Sequence, residues 1–202
     1  MIILVNFVYK FFSKSESLNS ILYYNFYMKH LGSKKIHTER LTLRPFTMKD
    51  ADMMFSHWAS DDEVTKYVPW DTHSSIEVTK EILTEWTNNY KNPNFYQWCI
   101  DYYGKAIGSI SVLEINEELK SCEIGYCIGK KWWHNGITSE ALRHVKNFLI
   151  NKVGFEHLWA WHHIDNQNSG LVLSKCGFSY VGEIDDCKKY MNTDSKVVIY
   201  EY

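Results

Sequence analysis

Three groups of residues in this 202-residue chain have the types and spacing to do chemistry. The first is the stretch WWHNGITSEAL, residues 132–142. Asn135-Gly136 is a favoured two-residue hairpin turn, because both residues tolerate positive φ. The residues after Gly136 do not alternate as a strand would, however. Ala141, Leu142, Val145, Phe148 and Leu149 fall on one face of a helix, with Arg143, His144, Lys146 and Asn147 on the other. The pattern therefore predicts strand, loop, helix. The first N–H groups of such a helix have no partner within it, and with the helix dipole they form an anion site. Gly136, lacking a Cβ, lets a ligand approach the backbone closely. The amides from His134 to Ser139 could hold a pyrophosphate without a charged side chain, although most loops of this kind bind nothing.

The second group is Glu123 in SCEIGYCIG. It shares a strand face with Gly125 and Cys127, opposite Ile124, Tyr126 and Ile128. It has two readings: an ordinary solvated strand glutamate, or a carboxylate in an aromatic cleft whose desolvation raises its pKa. The third group is NQNSGLVLSKC, where Ser169 heads a short helix and is a residue type that caps helices. His162 and His163 are adjacent on a strand and point to opposite faces, so they cannot chelate one ion together. Cys99, Cys122, Cys127, Cys176 and Cys187 are scattered, with no CxxC pair. Neither a disulfide framework nor a zinc site is indicated, and reduced thiols in a cytoplasmic protein are expected.

These groups need elements to hold them. ERLTLRPF alternates as a half-buried strand. Thr47 and Asp50 then open a helix carrying Met54, Phe55 and Trp58. Ser74 and Glu77 are predicted to form the capping box of a second helix, with Thr79, Ile82, Leu83 and Trp86 as its stripe. FYQWCID, AIGSISVLEI and SCEIGYCIG read as an antiparallel meander. EHLWAWHHI is a strand, Gly177 a left-handed helix cap, and SYVGEI and KVVIYEY are two closing strands. The whole is an α/β (α+β) domain.

A net charge of −2 gives no global positive field for nucleic acid or anionic membrane. MIILVNFVYKFF is broken by Asn6 and Lys10 and too short to span a bilayer, and it has no cleavable signal pattern. Residues 1–27 are expected to be an extension, disordered or an artefact of start choice, ahead of a domain over 28–202. An association role for that apolar segment is a separate expectation.

Taken together, TERLTLRPF with its capped helix, EIGYCIGKKWWHNGITSEAL and DNQNSGLVLSKCGF resemble the Gcn5-related N-acetyltransferase (GNAT) superfamily. The resemblance is to its branch of ribosomal-protein N-terminal acetyltransferases and related small-molecule enzymes, and it spans about Ile36 to Tyr202. It implies a mixed, mostly antiparallel twisted sheet of about seven strands with about four helices, opened at the strand pair around Glu123 and Trp161. It implies acetyl-CoA as co-substrate, no metal, and direct transfer to a primary amine on a protein N-terminus or a small molecule. It also implies a cytoplasmic monomer or homodimer without nucleic-acid partners or stable membrane insertion.

Carried over by position, Glu123 is the base, directly or through water, and Ser169 protonates the departing thiolate. Asn166 anchors the pantetheine arm, the backbone of Tyr126, Cys127 and Ile128 pairs with that arm, and Trp133, His134, Asn135, Gly136, Ile137, Thr138 and Ser139 form the pyrophosphate loop. Two departures stand out. The loop's usual Gln or Arg is Trp133 and a common Gly is His134, while the tyrosine many of these enzymes use as general acid falls at Leu173. A catalytically inactive acetyl-CoA-binding module is the alternative expectation.

Overall fold

The computed structural model describes residues 28–185 and 195–202. The expected extension over residues 1–27 lies outside them, as do Cys187 and most of the final polar loop. The strands are β1 (Ile36–His37), β2 (Leu41–Arg44), β3 (Gln97–Tyr102), β4 (Lys105–Asn116), β5 (Ser121–Ile128), β6 (His157–His163), β7 (Ser179–Ile184) and β8 (Val197–Glu201). They form one sheet in the order β1-β2-β3-β4-β5-β6-β8-β7. Every neighbouring pair is antiparallel except β5 and β6. The resemblance implies about seven strands; the eighth is the two-residue β1, too short to have a period.

The helices are α1 (Ala51–Met54), α2 (Asp62–Thr65), α3 (Ile76–Asn89), α4 (Ile137–Phe148) and α5 (Gln167–Lys175). A 3₁₀ turn over Met48–Asp50 leads into α1 and a π turn over Phe55–Ala59 continues it. The start of α3 corrects the sequence reading. Ser75, not Ser74, is the cap: it is extended at φ −153°, and its Oγ accepts the Glu77 N–H at 3.2 Å. Two serines in tandem leave the register ambiguous by one residue, and backbone conformation decides it.

Alternation along the strands buries a core on each face of the sheet. One core packs Ile107, Ile110, Ile124 and Leu158 against Leu142, Val145 and Leu149 of the α4 segment and Leu173 of α5. The other packs Cys99 and Ala106 against Met54, Trp58 and Leu83 from the α1–α3 region. Among the described residues, no helix is long and apolar enough to cross a membrane.

An ion network ties the sheet to α1. The Arg44 guanidinium donates to both carboxylate oxygens of Asp50, at 2.8 and 2.9 Å, and to Asp101 at 2.8 Å. Asp50, 3 % exposed, also accepts the Thr47 N–H and hydroxyl. Burial alone would push its carboxyl up; the Arg44 and Thr47 hydrogen bonds outweigh that and hold it below the usual range. Replacing Arg44 by Met strands two carboxylates and should cost about 3–5 kcal/mol at pH 7. Because Asp50 has a folded pKa below its unfolded value of about 3.9, the pair contributes fully above that pH and loses its contribution as pH falls through the folded value. Denaturant unfolding at pH 7 and pH 3 should therefore show a gap between wild type and Arg44→Met that narrows in acid.

Candidate active site

The parallel pairing of β5 and β6 lasts three rungs: Ser121 with His157, Cys122 with Leu158, and Glu123 with Trp159. Past Glu123 each strand keeps its other partner. β5 continues along β4 to Ile128, and β6 along β8 to His163. The two strands part from each other, leaving β5 backbone beyond Glu123 with no β6 partner. Opposite this point β4 carries a bulge between Val112 and Ile115, a device that bends a strand and raises its local twist.

Glu123 lies at the last rung. It is 6 % exposed, and its Oε1 accepts the Trp161 indole N–H at 2.7 Å. The solvated-strand reading is therefore corrected: this carboxylate is buried. On the same face of β6, the His163 ring stacks on Tyr67, centroids 5.0 Å apart. His163 Nδ1 accepts the Asp165 N–H at 3.1 Å, so the neutral ring carries its proton on Nε2. His162 points the other way, toward α5. Its Nδ1 donates to the His163 carbonyl at 2.7 Å, and Nε2 is buried with no hydrogen-bond partner among the described residues. Burial lowers its pKa and keeps it neutral.

Across the opening stands the first turn of α5. The Asn166 side chain accepts the Ser169 N–H at 3.4 Å and caps the helix. Ser169 itself is not the cap. Its Oγ lies 2.8 Å from the Tyr126 hydroxyl, which is also 3.0 Å from the Ser169 carbonyl. Glu123 and Ser169 thus flank the opening from opposite faces of the sheet. Leu173, where the tyrosine of similar enzymes would fall, is fully buried in the core. The half-buried Cys127 thiol is pushed up to about 12 by burial, so it is not a nucleophile near neutrality.

The loop opens with a 3₁₀ turn over Lys130–Trp132. The Trp133 N–H is taken by the Lys130 carbonyl at 3.1 Å, and its indole donates to the Ile128 carbonyl at 2.9 Å. Trp133 is therefore a packing residue whose amide is occupied, and the Ile128 carbonyl already accepts one bond. His134 (φ 61°) and Gly136 (φ 71°) are both left-handed, the conformation that Gly adopts freely and a side chain does not. Gly136 is the N-cap of α4, and no side chain of the described residues caps that turn. The first amides of α4 face outward at the positive end of a twelve-residue helix.

Sequence reasoning missed Arg40. Its guanidinium donates to the Asn135 carbonyl at 3.1 Å and to Glu140 Oε2 at 2.7 Å, placing a fixed cation beside the loop. Burial alone would raise the Glu140 carboxyl; bonds from Thr38 and Arg40 hold it low. The partners are about a hundred residues apart in sequence, so no local pattern announces them. Among the described residues, no group of three or more His, Cys, Asp or Glu side chains is placed to hold a metal ion.

The profile of the Acetyltransferase (GNAT) domain family matches residues 40–179. The uncharacterised N-acetyltransferase YoaA of Bacillus subtilis (strain 168) is 30 % identical over 158 residues, which is 77 % of this chain and 87 % of YoaA. Two solved structures share the fold. RimL, a ribosomal L7/L12 alpha-N-protein acetyltransferase in complex with coenzyme A, superposes with a TM-score of 0.76 at 17 % identity, covering 84 % of this chain and 97 % of its own. The microcin C7 self-immunity acetyltransferase MccE, solved with acetyl-CoA and AMP, gives 0.72 at 19 % identity, covering 81 % and 92 %.

The seat of α5 is tight. A Cβ on Gly170 would lie 2.7 Å from His162 Nε2 and 3.0 Å from the Tyr200 hydroxyl, whereas one on Gly182 would meet nothing within 4 Å. Gly170→Ala should cost about 1–3 kcal/mol by overpacking, and Gly182→Ala much less, when both are measured by denaturant unfolding.

Proposed function

This chain belongs to the GNAT acetyltransferase family, and on that premise we propose that it moves an acetyl group from acetyl-CoA directly to a primary amine. The observation that carries the reading is the parting of β5 and β6 between a buried carboxylate and a hydroxyl. The amides of the loop and of the first turn of α4, His134 through Ser139, take the pyrophosphate, with Arg40 adding a cation beside them. The backbone of Tyr126 and Cys127, paired with β4 on one side and no longer with β6 on the other, takes the pantetheine arm as a short added strand. The Asn166 amide lies at the mouth of the same opening.

The acceptor amine arrives on the face of Glu123, Trp161 and His163. It must be neutral to attack the thioester carbonyl, and Glu123 accepts its proton directly or through one water. As the C–N bond forms the C–S bond breaks, and Ser169 meets the sulfur from the other face. Its hydroxyl proton passes to the thiolate and is replaced from solvent. Proton transfers of this kind contribute about 10²–10⁴-fold. Alignment of donor and acceptor contributes more, on the order of 7–11 kcal/mol. The family relationship favours this reading over a binding module without turnover.

The acceptor is proposed as a protein N-terminus, the acceptor class named for RimL, or a small-molecule amine. The α1–α3 region and the residues between α2 and α3, which include Tyr67, shape that side. The enzyme would act in the cytoplasm as a monomer or homodimer.

Acetyl-CoA with a panel of amines and peptides should release free thiol, followed with a thiol reagent. CoA at a hundredfold excess over Kd should stabilise the protein by about 2.7 kcal/mol. Glu123→Gln and Ser169→Ala should each lower kcat by about 10²–10⁴-fold while retaining that stabilisation. If the protein shows neither thiol release above background nor stabilisation by CoA, the reading fails.

A further inference from the structure

Resting on the acetyl-transfer reading, we propose that Tyr126 is a positioning residue for Ser169, its phenol supplying a hydrogen bond to Ser169 Oγ as negative charge grows on the departing sulfur. The geometry is a hydroxyl with two acceptors and one hydrogen. Tyr126 Oη lies 2.8 Å from Ser169 Oγ and 3.0 Å from the Ser169 carbonyl oxygen. It can donate to only one of them at a time.

The two choices have different consequences. When the phenol donates to the carbonyl, its oxygen accepts the Ser169 hydroxyl hydrogen, which then points away from the opening. When the phenol donates to Oγ, the Ser169 hydrogen is released toward the opening. A neutral thioester sulfur is a weak acceptor and favours the first arrangement. A thiolate is a strong one and favours the second. In the second arrangement the two hydroxyls form a chain, phenol to serine to sulfur, and each bond polarises the next. The added stabilisation therefore arises with the charge of the transition state and not with the bound thioester, which is the condition for raising kcat. Tyr126 gives a hydrogen bond and no proton, so the proton balance of the reaction is unchanged.

The surroundings leave only this rotor free. Asn166 holds the Ser169 N–H, and Gly170 packs its bare Cα against His162 and Tyr200, fixing the backbone on either side of the hydroxyl. The groups facing the phenol are Ser169 of α5, Cys176 at the C-cap of that helix and Tyr200 of β8. Burial, the largest influence, raises the phenol's pKa, so it remains a donor throughout the working range.

The test compares wild type, Tyr126→Phe, Ser169→Ala and the double variant. Tyr126→Phe should lower kcat about ten- to hundredfold, the worth of a hydrogen bond to a charged group, with KM for acetyl-CoA within about twofold. The double variant should be no slower than Ser169→Ala alone. A second readout needs no turnover: calorimetric affinity for CoA and for desulfo-CoA at pH 7 and pH 9.5. Donors aimed at sulfur lower the bound thiol's pKa, so the advantage of CoA over desulfo-CoA should grow with pH in wild type and grow less in Tyr126→Phe, where Ser169 donates without the phenol behind it. Should Tyr126→Phe fail to fold, 3-fluorotyrosine placed at 126 keeps the shape and strengthens the donor. It should move the bound-thiol titration to lower pH. Wild-type kcat in Tyr126→Phe, additive losses in the double variant, or an unmoved thiol titration would each overturn the role of Tyr126 while leaving acetyl transfer standing. A wild type that neither releases thiol nor binds CoA would take both down.

Discussion

The structure depends on a parallel ladder that stops after three rungs. Up to Glu123, β5 and β6 pair with one another; past it the ladder between them ends and each strand pairs with its other neighbour. Main-chain polar groups in a sheet interior require partners, so a strand that gives up a neighbour must offer those groups to something else. Part of the debt is met internally, since the Trp133 indole donates to the Ile128 carbonyl. The rest defines a slot with backbone on its walls. Alternation sets the groups that flank the slot. Residues on one face of β5 and β6 put Glu123, Trp161 and His163 toward the α1–α3 region, and residues on the other put Tyr126 and His162 toward α5.

The polar groups around the slot are arranged by neutral and charged partners in different places. Near the loop, charge is balanced between Arg40 and Glu140, with the carboxylate 4 % exposed at the first turn of α4. That sign suits a helix N-terminus, and the guanidinium keeps the carboxylate from repelling an anion there. Near Ser169 the partners are phenols, a thiol and a neutral imidazole. On the proposed reading, the group that meets developing negative charge is thus surrounded by dipoles and not by competing carboxylates. The charged cluster of Arg44, Asp50 and Asp101 is kept away from the slot, where it joins the sheet to α1.

Period and punctuation made much of the scaffold legible. The shift from alternation in SCEIGYCIG to a helical face after Gly136 identified strand, loop and helix, and the same shift recurs from EHLWAWHHI to NQNSGLVLSKC. Assignment to a family profile over residues 40–179 accords with the three motifs read in that order. What was not legible is contact between residues with no shared period. Ser169 meets Tyr126 across 43 positions, and Arg40 meets Asn135 across 95. The loop's occupied amide at Trp133 was likewise hidden, because a 3₁₀ turn over Lys130–Trp132 has no signature in residue type. The one-residue error at Ser74 and Ser75 belongs with these, as two identical residues carry no local information about which is extended.

The two cores on opposite sides of the sheet carry a consequence for how such a molecule can diversify. On the proposed reading the slot's grip is main-chain, and α4 and α5 pack in one core while the α1–α3 region packs in the other. Mutations that reshape the second region therefore reach the slot through Cys127 and Trp133, which pack against that core. On the proposed reading, a lineage can drift toward a new amine at positions of that region that leave these two contacts in place.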